Sequence, residues 1–286
     1  MAKKGKYMNE KHPYKTFDEY LNSNKIKKGG QYLKGKKYNK DIPLVTILTV
    51  CKNSCKTIEK TIKSVADQSY PNIEYLIMDG ASTDNTVDII KKNEDVIDLW
   101  ISEPDDGITD ALNKAVTICH GDFVFFLNAD DFIKSDFIAN AVNGFDENCD
   151  FIFGDCLYGK FGGEYNQLQK GDKHYKKKIA YTMPRINQPT IVARKKCFDI
   201  VGLYDVEKKV APDYDWLVRA YVNNINGKYI DKLVTYFALE GNSDINYFKG
   251  LKEVRESSLK YAGSHLITNF YFLARATRRV IKKVFV

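Results

Sequence analysis

Short apolar runs alternate with amphipathic segments between residues 43 and 240 of this 286-residue chain. Continuous apolar runs of a few residues are typical of buried strands, whereas apolar residues at helical spacing are typical of surface helices. Strands that alternate with helices favour βαβ units and a largely parallel sheet. The predicted strands are Val45–Val50, Ile73–Met78, Ile97–Ile101, Phe123–Leu127, Phe151–Phe153, Thr190–Ala193 and Leu233–Leu239. The predicted helices are Thr57–Gln68, a segment ending at Lys92, Ile108–Ile118 and Pro212–Asn223.

Two segments do not follow this alternation of strands and helices. Residues 157–180 contain Gly162-Gly163 and a run of three lysines, and they predict a long mobile loop. Residues 1–40 are rich in Lys, Asn, Tyr and Gly and predict a basic N-terminal extension with one short helix near Phe17. We therefore expect an α/β domain over residues 41–245, between this extension and a C-terminal segment over residues 246–286.

The C-terminal segment predicts a basic amphipathic helix. On a helical projection its basic and apolar residues fall on opposite faces. Such a helix is typical of segments that lie in the plane of a membrane, although packing on the body or on another subunit is the alternative. The basic face holds Arg275, Arg278, Arg279 and Lys282, and the apolar face holds Leu266, Phe270, Leu273, Val280, Ile281 and Val284.

Charge is distributed unevenly along the chain, whose net charge is +7. Residues 1–40 carry 12 lysines and three acids, and residues 249–286 carry nine basic residues and two acids. The remainder is acidic. Basic ends of this kind can meet anionic lipid or nucleic acid, but no stacking platform or RNA motif is evident, so we expect no nucleic-acid partner.

The six cysteines form no CxxC pair, and the N-terminus leads into no apolar segment. We therefore expect neither a zinc site nor a disulfide framework nor a signal peptide. These expectations favour a cytoplasmic location, peripheral on the inner face of the cell membrane.

Polar clusters follow three of the predicted strands. They are Asp79–Thr86, Ser102–Gly107 with Asp110 and Asn113 on the next helix, and Asn128-Ala129-Asp130-Asp131. Ligands of open α/β sheets bind at the carboxyl ends of the strands, so we expect these clusters to share one crevice. Adjacent carboxylates suit Mg²⁺ or Mn²⁺, which is usually shared with substrate phosphates. Each cluster alone could also be an ordinary strand–turn–helix junction.

Together, and in this order, the motifs resemble family-2 glycosyltransferases of the GT-A fold, most of all the bacterial branch that builds surface polysaccharides. The resemblance covers about residues 43–240. It implies a GT-A, Rossmann-like, mostly parallel sheet with flanking helices. It also implies an inverting, metal-dependent transfer of a sugar from a nucleotide-diphosphate donor to a hydroxyl of a lipid-linked glycan acceptor.

The resemblance assigns roles to individual residues. The family's acidic metal motif corresponds to Asn128-Ala129-Asp130, so Asp130 or Asp131 would bind Mn²⁺ or Mg²⁺. Asp213 corresponds to the catalytic base. The acceptor side is represented by Gln188, Asp215 and Trp216. The nucleotide-sugar contacts would come from Val50, Asn53, Asp79, Asp106, Asp110, Asn113, Asn128 and Ala129.

Two other functions fit parts of the pattern. A sugar-phosphate nucleotidyltransferase would use a similar sheet with Mg²⁺. Such enzymes resemble one another through a Gly-rich stretch with a basic residue after the first strand, whereas this chain has Lys52-Asn53-Ser54 there, without glycine. A non-catalytic protein bound to a membrane surface by its basic ends is the third reading.

Overall fold

The computed structural model describes residues 14–238 and 246–285, with side chains described as far as residue 281. Four parallel strands form the centre of its sheet in the order β4, β3, β2, β5. Their side chains are almost entirely buried, as the apolar runs predicted. The strands are β2 Val45–Cys51, β3 Ile73–Asp79, β4 Leu99–Ser102 and β5 Phe123–Phe126.

Helices connect these four strands and cover both faces of the sheet. They bury apolar residues at helical spacing, which confirms the predicted α/β alternation. The connecting helices are α2 Ile58–Ala66, α3 Thr86–Lys92 and α4 Ile108–Ile118, and α5 Phe137–Gly144 follows the fourth strand. The carboxyl ends of β2, β3 and β5 therefore lie along one edge.

The outer strands make the sheet mixed, because they add antiparallel pairs and one further parallel pair to the predicted parallel centre. On one side β9 Val192–Arg194 pairs antiparallel with both β5 and β7 Phe151–Gly159. Beyond them β10 Gly227–Ala238 is parallel to β7, and β6 Phe132–Ile133 is antiparallel to β10. β9 overlaps the predicted strand Thr190–Ala193, although the residue pattern does not give its antiparallel direction, and the two-residue strand β6 was not predicted. The predicted strand end Leu239 lies outside the described residues.

The prediction of a long loop over residues 157–180 is wrong for residues 157–169, whereas residues 170–180 contain one short 3₁₀ helix, Tyr175–Lys177, and otherwise no regular element. β7 continues to Gly159, the chain turns through residues 160–164, and β8 Tyr165–Gln169 returns antiparallel to β7. Gly162 lies in the turn with φ 78°, a conformation that glycine adopts at no steric cost. The glycines that suggested a long loop lie in the turn of a β-hairpin.

The described part of the predicted N-terminal extension belongs to the main body. The buried Tyr20 of α1 Phe17–Asn22 donates its phenol hydrogen to Glu103 Oε1 at 2.7 Å, and β1 Lys27–Gly29 pairs antiparallel with β4. A domain boundary at residue 40 therefore divides one packed unit. Residues 1–13 lie outside the described residues.

The predicted boundary at residue 246 also divides a packed unit. The C-terminal segment forms α8 Tyr247–Tyr261 and α9 His265–Phe285, which follow α6 Lys196–Val201 and α7 Pro212–Val222 in the chain. Ser257 of α8 donates its hydroxyl to Asp215 Oδ1 at 2.7 Å, and Asp215 is ion-paired with Arg219 at 2.8 Å within α7. No helix in the described ranges is long and apolar enough to cross a membrane.

We expect Asp215→Ala to destabilise the fold strongly. Asp215 is fully buried and Arg219 nearly so, and breaking a buried ion pair from one side costs about 3–5 kcal/mol because the remaining charge has no partner. Urea unfolding measures the loss in free energy of unfolding. Glu59→Ala breaks the exposed Glu59–Lys63 pair and should change it little. Equal stabilities of the two variants would contradict this account.

Candidate functional site

A cleft of about 910 Å³ opens at the carboxyl edge of the sheet. It extends from the segments after β2 and β5 to the start of α7 and to one face of the C-terminal helices. Its volume lies within the range of ligand pockets, near the upper end. Seven of the predicted site residues line it: Val50, Asn53, Asn128, Ala129, Asp130, Gln188 and Asp213.

Asn53 shapes the wall of the cleft next to β2. Its backbone has φ 53°, a left-handed conformation that asparagine tolerates better than most residues. Its amide oxygen accepts a hydrogen bond from the Thr83 backbone N–H at 2.9 Å, and its own backbone N–H donates to Ser82 Oγ at 2.7 Å. The loops after β2 and β3 are thus tied together at the cleft.

Asp79 does not line the cleft, and its contact with the nucleotide stays a prediction. Its side chain is buried and accepts hydrogen bonds from the Ser82 backbone N–H at 3.0 Å and from Ser102 Oγ at 2.7 Å. Those two bonds go to Oδ2, and Oδ1 accepts hydrogen bonds from Ser82 Oγ and from the Cys51 thiol, so both oxygens of Asp79 have partners within the protein. Asp79 therefore organises the strand ends.

Asp110 and Asn113 of α4 are bonded to other residues of the protein. Asp110 forms an ion pair with Lys114 at 2.9 Å and accepts the backbone N–H of Asp106 at 3.2 Å. The Asn113 amide is bonded to both the N–H and the carbonyl of Tyr204, each at 2.9 Å. None of Asp106, Asp110 and Asn113 belongs to the cleft lining in this structure, and their nucleotide contacts stay predictions. The cleft is lined from this helix by Ile108 and Leu112, which are one turn apart on another face.

Asp130 and its neighbour Asp131 have different environments. Asp130 lines the cleft, whereas Asp131 is 1% exposed and accepts hydrogen bonds from the Ala238 backbone N–H at 2.9 Å and from Asn128 Nδ2 at 2.8 Å. Burial raises the pKa of both carboxyl groups, and for Asp131 the nearby charge of Asp130 raises it further. Asp130 is thus the acid of this pair that lines the cleft, and direct binding of a metal by Asp131 stays a prediction.

A cation that is also bound by substrate phosphates needs no more than one carboxylate from the cleft. The described residues contain no cluster of three or more metal-binding side chains. Mg²⁺ and similar ions are commonly held by one or two carboxylates together with substrate phosphates and water. Asp130 therefore fits a divalent cation that arrives with a diphosphate.

Asp213 faces the cleft from the first turn of α7, directly after Pro212. Burial raises the pKa of Asp213 to about 6; backbone N–H groups at the start of the helix lower it, and the charge of Glu253 raises it slightly. A general base functions best when its pKa is close to the working pH. The carboxyl group is therefore suited to accept a proton near neutral pH.

The two other acceptor-side residues of α7 pack behind Asp213. Trp216 is buried between the rings of Phe198 and Tyr204 and donates its indole N–H to the Gly202 carbonyl at 3.0 Å. Asp215 is occupied by Arg219 and Ser257. Neither Asp215 nor Trp216 lines the cleft, since successive helical residues point in different directions, and their contacts with the acceptor stay predictions. Gln188 does line the cleft.

Sequence reasoning missed much of the cleft's cationic and aromatic lining. Lys52 and Lys56 were detectable, because they flank Asn53 in the chain. Arg275 belonged to the predicted basic face of the C-terminal helix, for which we expected contact with a membrane surface. Arg185, Lys209, Tyr158 and Tyr247 gave no local signal.

Asn187, whose role the sequence left open, is buried. Its amide group donates to the Gly154 carbonyl at 2.7 Å and accepts from Gln169 Nε2 at the same distance.

Comparison with known proteins identifies the family. The model for glycosyl transferase family 2 matches residues 46–199, which is more than half of the chain. The chain belongs to glycosyl transferase family 2. This match confirms the resemblance that the strand-end motifs carried.

Curated relatives match part of the chain. A putative teichuronic acid biosynthesis glycosyltransferase, TuaG of Bacillus subtilis strain 168, is 37% identical over 115 residues, which are 39% of this chain and 46% of TuaG. The chain thus spans less than half the length of this relative and of the mycobacterial glycosyltransferases that match with equal identity.

Solved structures share the fold. TarS 1–349 of S. aureus in complex with UDP-GlcNAc has a TM-score of 0.59 at 20% identity, covering 75% of this chain and 66% of that one. The mannosyltransferase PcManGT of Pyrobaculum calidifontis, in complex with GDP-Man and Mn²⁺, has a TM-score of 0.60 at 17% identity, covering 79% and 68%. These likenesses confirm the predicted GT-A architecture.

Proposed function

We propose that the chain transfers a sugar from a nucleotide-diphosphate donor to a hydroxyl group of a glycan acceptor in surface polysaccharide synthesis. The observation that carries the proposal is one cleft that both Asp130 and Asp213 line, whereas Asp84, the third carboxylate of the lining, accepts hydrogen bonds from the backbone of Cys55 and Thr86. Asp130 stands at the end of a strand, and Asp213 stands at the start of a helix. Family membership and the teichuronic acid role in the name of TuaG support the same conclusion. The family match favours glycosyl transfer over nucleotidyl transfer.

Asp130 would hold Mn²⁺ or Mg²⁺ at the donor diphosphate. When bound, such a cation stabilises the negative charge that develops on the departing diphosphate. The ligands named for TarS and PcManGT, UDP-GlcNAc in one and GDP-Man with Mn²⁺ in the other, support a donor of this class. Lys52 and Lys56 line the same cleft and add positive charge for the phosphates.

Asp213 would act as the general base. It takes the proton of the acceptor hydroxyl as that oxygen forms a bond to the anomeric carbon and the bond from this carbon to the diphosphate breaks. A single displacement from the opposite face inverts the anomeric configuration, and the nucleoside diphosphate leaves with the electron pair. No covalent enzyme intermediate is needed.

The C-terminal helix supports a lipid-linked acceptor. Arg275 of α9 lines the cleft and donates to Thr182 Oγ1 at 3.2 Å, while Phe270 and Leu273 on the opposite side are 67% and 62% exposed. The helix thus turns Arg275 inward and its apolar side outward, and it contains no acidic residue. We infer a peripheral position on an anionic membrane at its cytoplasmic face, with the apolar side in the lipid. Lys282 and Val284, which were part of this prediction, lie outside the described side chains.

Asp130→Ala should abolish metal-dependent donor binding. A ligand at 100 times its dissociation constant stabilises a protein by about 2.7 kcal/mol, so a donor with Mn²⁺ should raise the melting temperature measurably. We would test UDP-GlcNAc and GDP-mannose, each with and without Mn²⁺, by thermal unfolding. Asp136→Ala is the matched control, because that exposed side chain caps no backbone amide. Undiminished stabilisation of Asp130→Ala by donor and Mn²⁺ would refute the assignment.

The pH profile of transfer should report the ionisation of Asp213. A base is active when deprotonated, so kcat should fall about tenfold per pH unit below a pKa of about 6. Asp213→Asn should lower kcat by about 10²- to 10⁴-fold and remove this acid limb. Asp199→Asn, on the exposed surface of α6, should keep both the rate and the limb. An unchanged limb in Asp213→Asn would assign the base elsewhere.

Replacing Phe270 and Leu273 together by Ser should abolish vesicle binding without unfolding the protein, because both side chains lie in solvent. Co-sedimentation with phosphatidylglycerol vesicles measures binding, and phosphatidylcholine vesicles measure the contribution of anionic lipid. Ile200→Ser, which removes a 51% exposed apolar side chain from α6, is the control. Sedimentation of the double variant at the wild-type level would contradict membrane attachment through α9.

A further inference from the structure

Glu253 of α8 makes an unusual contact with the segment that leads to Asp213. Its side chain is buried and accepts hydrogen bonds from three consecutive backbone N–H groups. Oε1 accepts from Lys209 at 3.1 Å, and Oε2 accepts from Val210 at 2.9 Å and from Ala211 at 2.8 Å. One carboxylate thus holds the whole turn before α7, although it lies more than forty residues later in the chain.

The turn needs such a partner because of its position. Ala211 is buried, so its N–H group would lose its hydrogen bond to water without gaining another. Pro212 follows at the first position of α7 and has no N–H group of its own. Consecutive N–H groups that converge on one point form an anion-binding concavity, and here a carboxylate of the protein occupies it.

Two further contacts fix α8 against the same region. Before the turn, Lys208 forms an ion pair with Glu256 at 2.9 Å; after it, Asp215 accepts the Ser257 hydroxyl at 2.7 Å. Asp213 therefore lies between attachment points that all come from one helix of the C-terminal segment. The Glu253 contact at Ala211 and the Ser257 contact at Asp215 each lie two residues from Asp213 along the backbone.

We propose that Glu253 is a positioning residue, which holds the 209–211 turn so that the Asp213 carboxylate faces the acceptor hydroxyl. The proposal rests on the proposed function, since it presupposes that Asp213 is the base. It makes α8 a part of the catalytic machinery. Glu253 does not line the cleft and touches no substrate in this account.

Hydrogen–deuterium exchange of the 209–211 amides, together with transfer kinetics, tests the proposal in the full chain. Loss of hydrogen bonds to a charged acceptor should make these amides exchange about 10- to 100-fold faster in Glu253→Ala. A displaced base should lower kcat by about 100-fold. The donor KM, and the thermal stabilisation by UDP-GlcNAc or GDP-mannose with Mn²⁺, should stay within about twofold of wild type because Asp130 is untouched.

Two further variants complete the experiment. Glu253→Gln keeps one acceptor oxygen and should lie between wild type and Glu253→Ala in both exchange rate and kcat; it also replaces the Ala variant if that one does not fold. Lys249→Gln changes an exposed residue of α8 one turn before Glu253 and should leave the exchange rates and kcat near wild type.

The outcomes separate this proposal from the proposed function. Unchanged amide exchange in the Glu253 variants would overturn the proposal, as would fast exchange with an unchanged kcat. A fall in kcat matched by an equal loss of donor stabilisation would also overturn it, because the effect would then be general. A wild-type chain without transfer activity would count against the proposed function, and the exchange rates would then decide alone whether Glu253 holds the turn.

Discussion

The cleft depends on the hydrogen bonding of one buried carboxylate, Asp79, at the end of β3. Parallel strands bring their carboxyl ends to the same edge, but the loops that follow must still be held in place. Asp79 binds the loops after β3 and β4 through Ser82 and Ser102, and Ser82 in turn accepts the backbone N–H of Asn53 from the loop after β2. Because a buried carboxylate without donors is costly, these bonds fix the three loops relative to one another. The cleft wall is built on them.

At two places in the site, one of two nearby acids faces the cleft and the other is bonded within the protein. At the end of β5, Asp130 faces the cleft while Asp131 is bonded to the backbone of Ala238. At the start of α7, Asp213 faces the cleft while Asp215 is bonded to Arg219 and Ser257. In both pairs the acid bonded within the protein holds its segment in place, and the acid that faces the cleft is the one proposed to act in the reaction. Buried acids are tolerated where such partners satisfy their oxygens.

The C-terminal helices have two functions in this arrangement. α8 holds the start of α7 through Glu253 and closes one side of the cleft. α9 turns Arg275 inward and exposes an apolar side, the reverse of the orientation expected for a helix that buries its apolar face against the body. A helix with this orientation can connect a cleft for charged substrates with an apolar surface outside.

The sequence by itself determined the central elements, because their periods of burial are local properties: apolar runs became the parallel strands, and helical spacing became α2, α4 and α7. It also determined that acids cluster at the strand ends, since those residues are adjacent in the chain. The tertiary structure alone decided which acids face the ligand. Asp131 points inward because it meets a backbone N–H group 107 residues away, and Asp215 because it meets a serine 42 residues away. Contacts over such distances leave no periodic signal, so the inward acids, the hairpin after β7 and the helical wall of the cleft could be recognised only once the chain was folded.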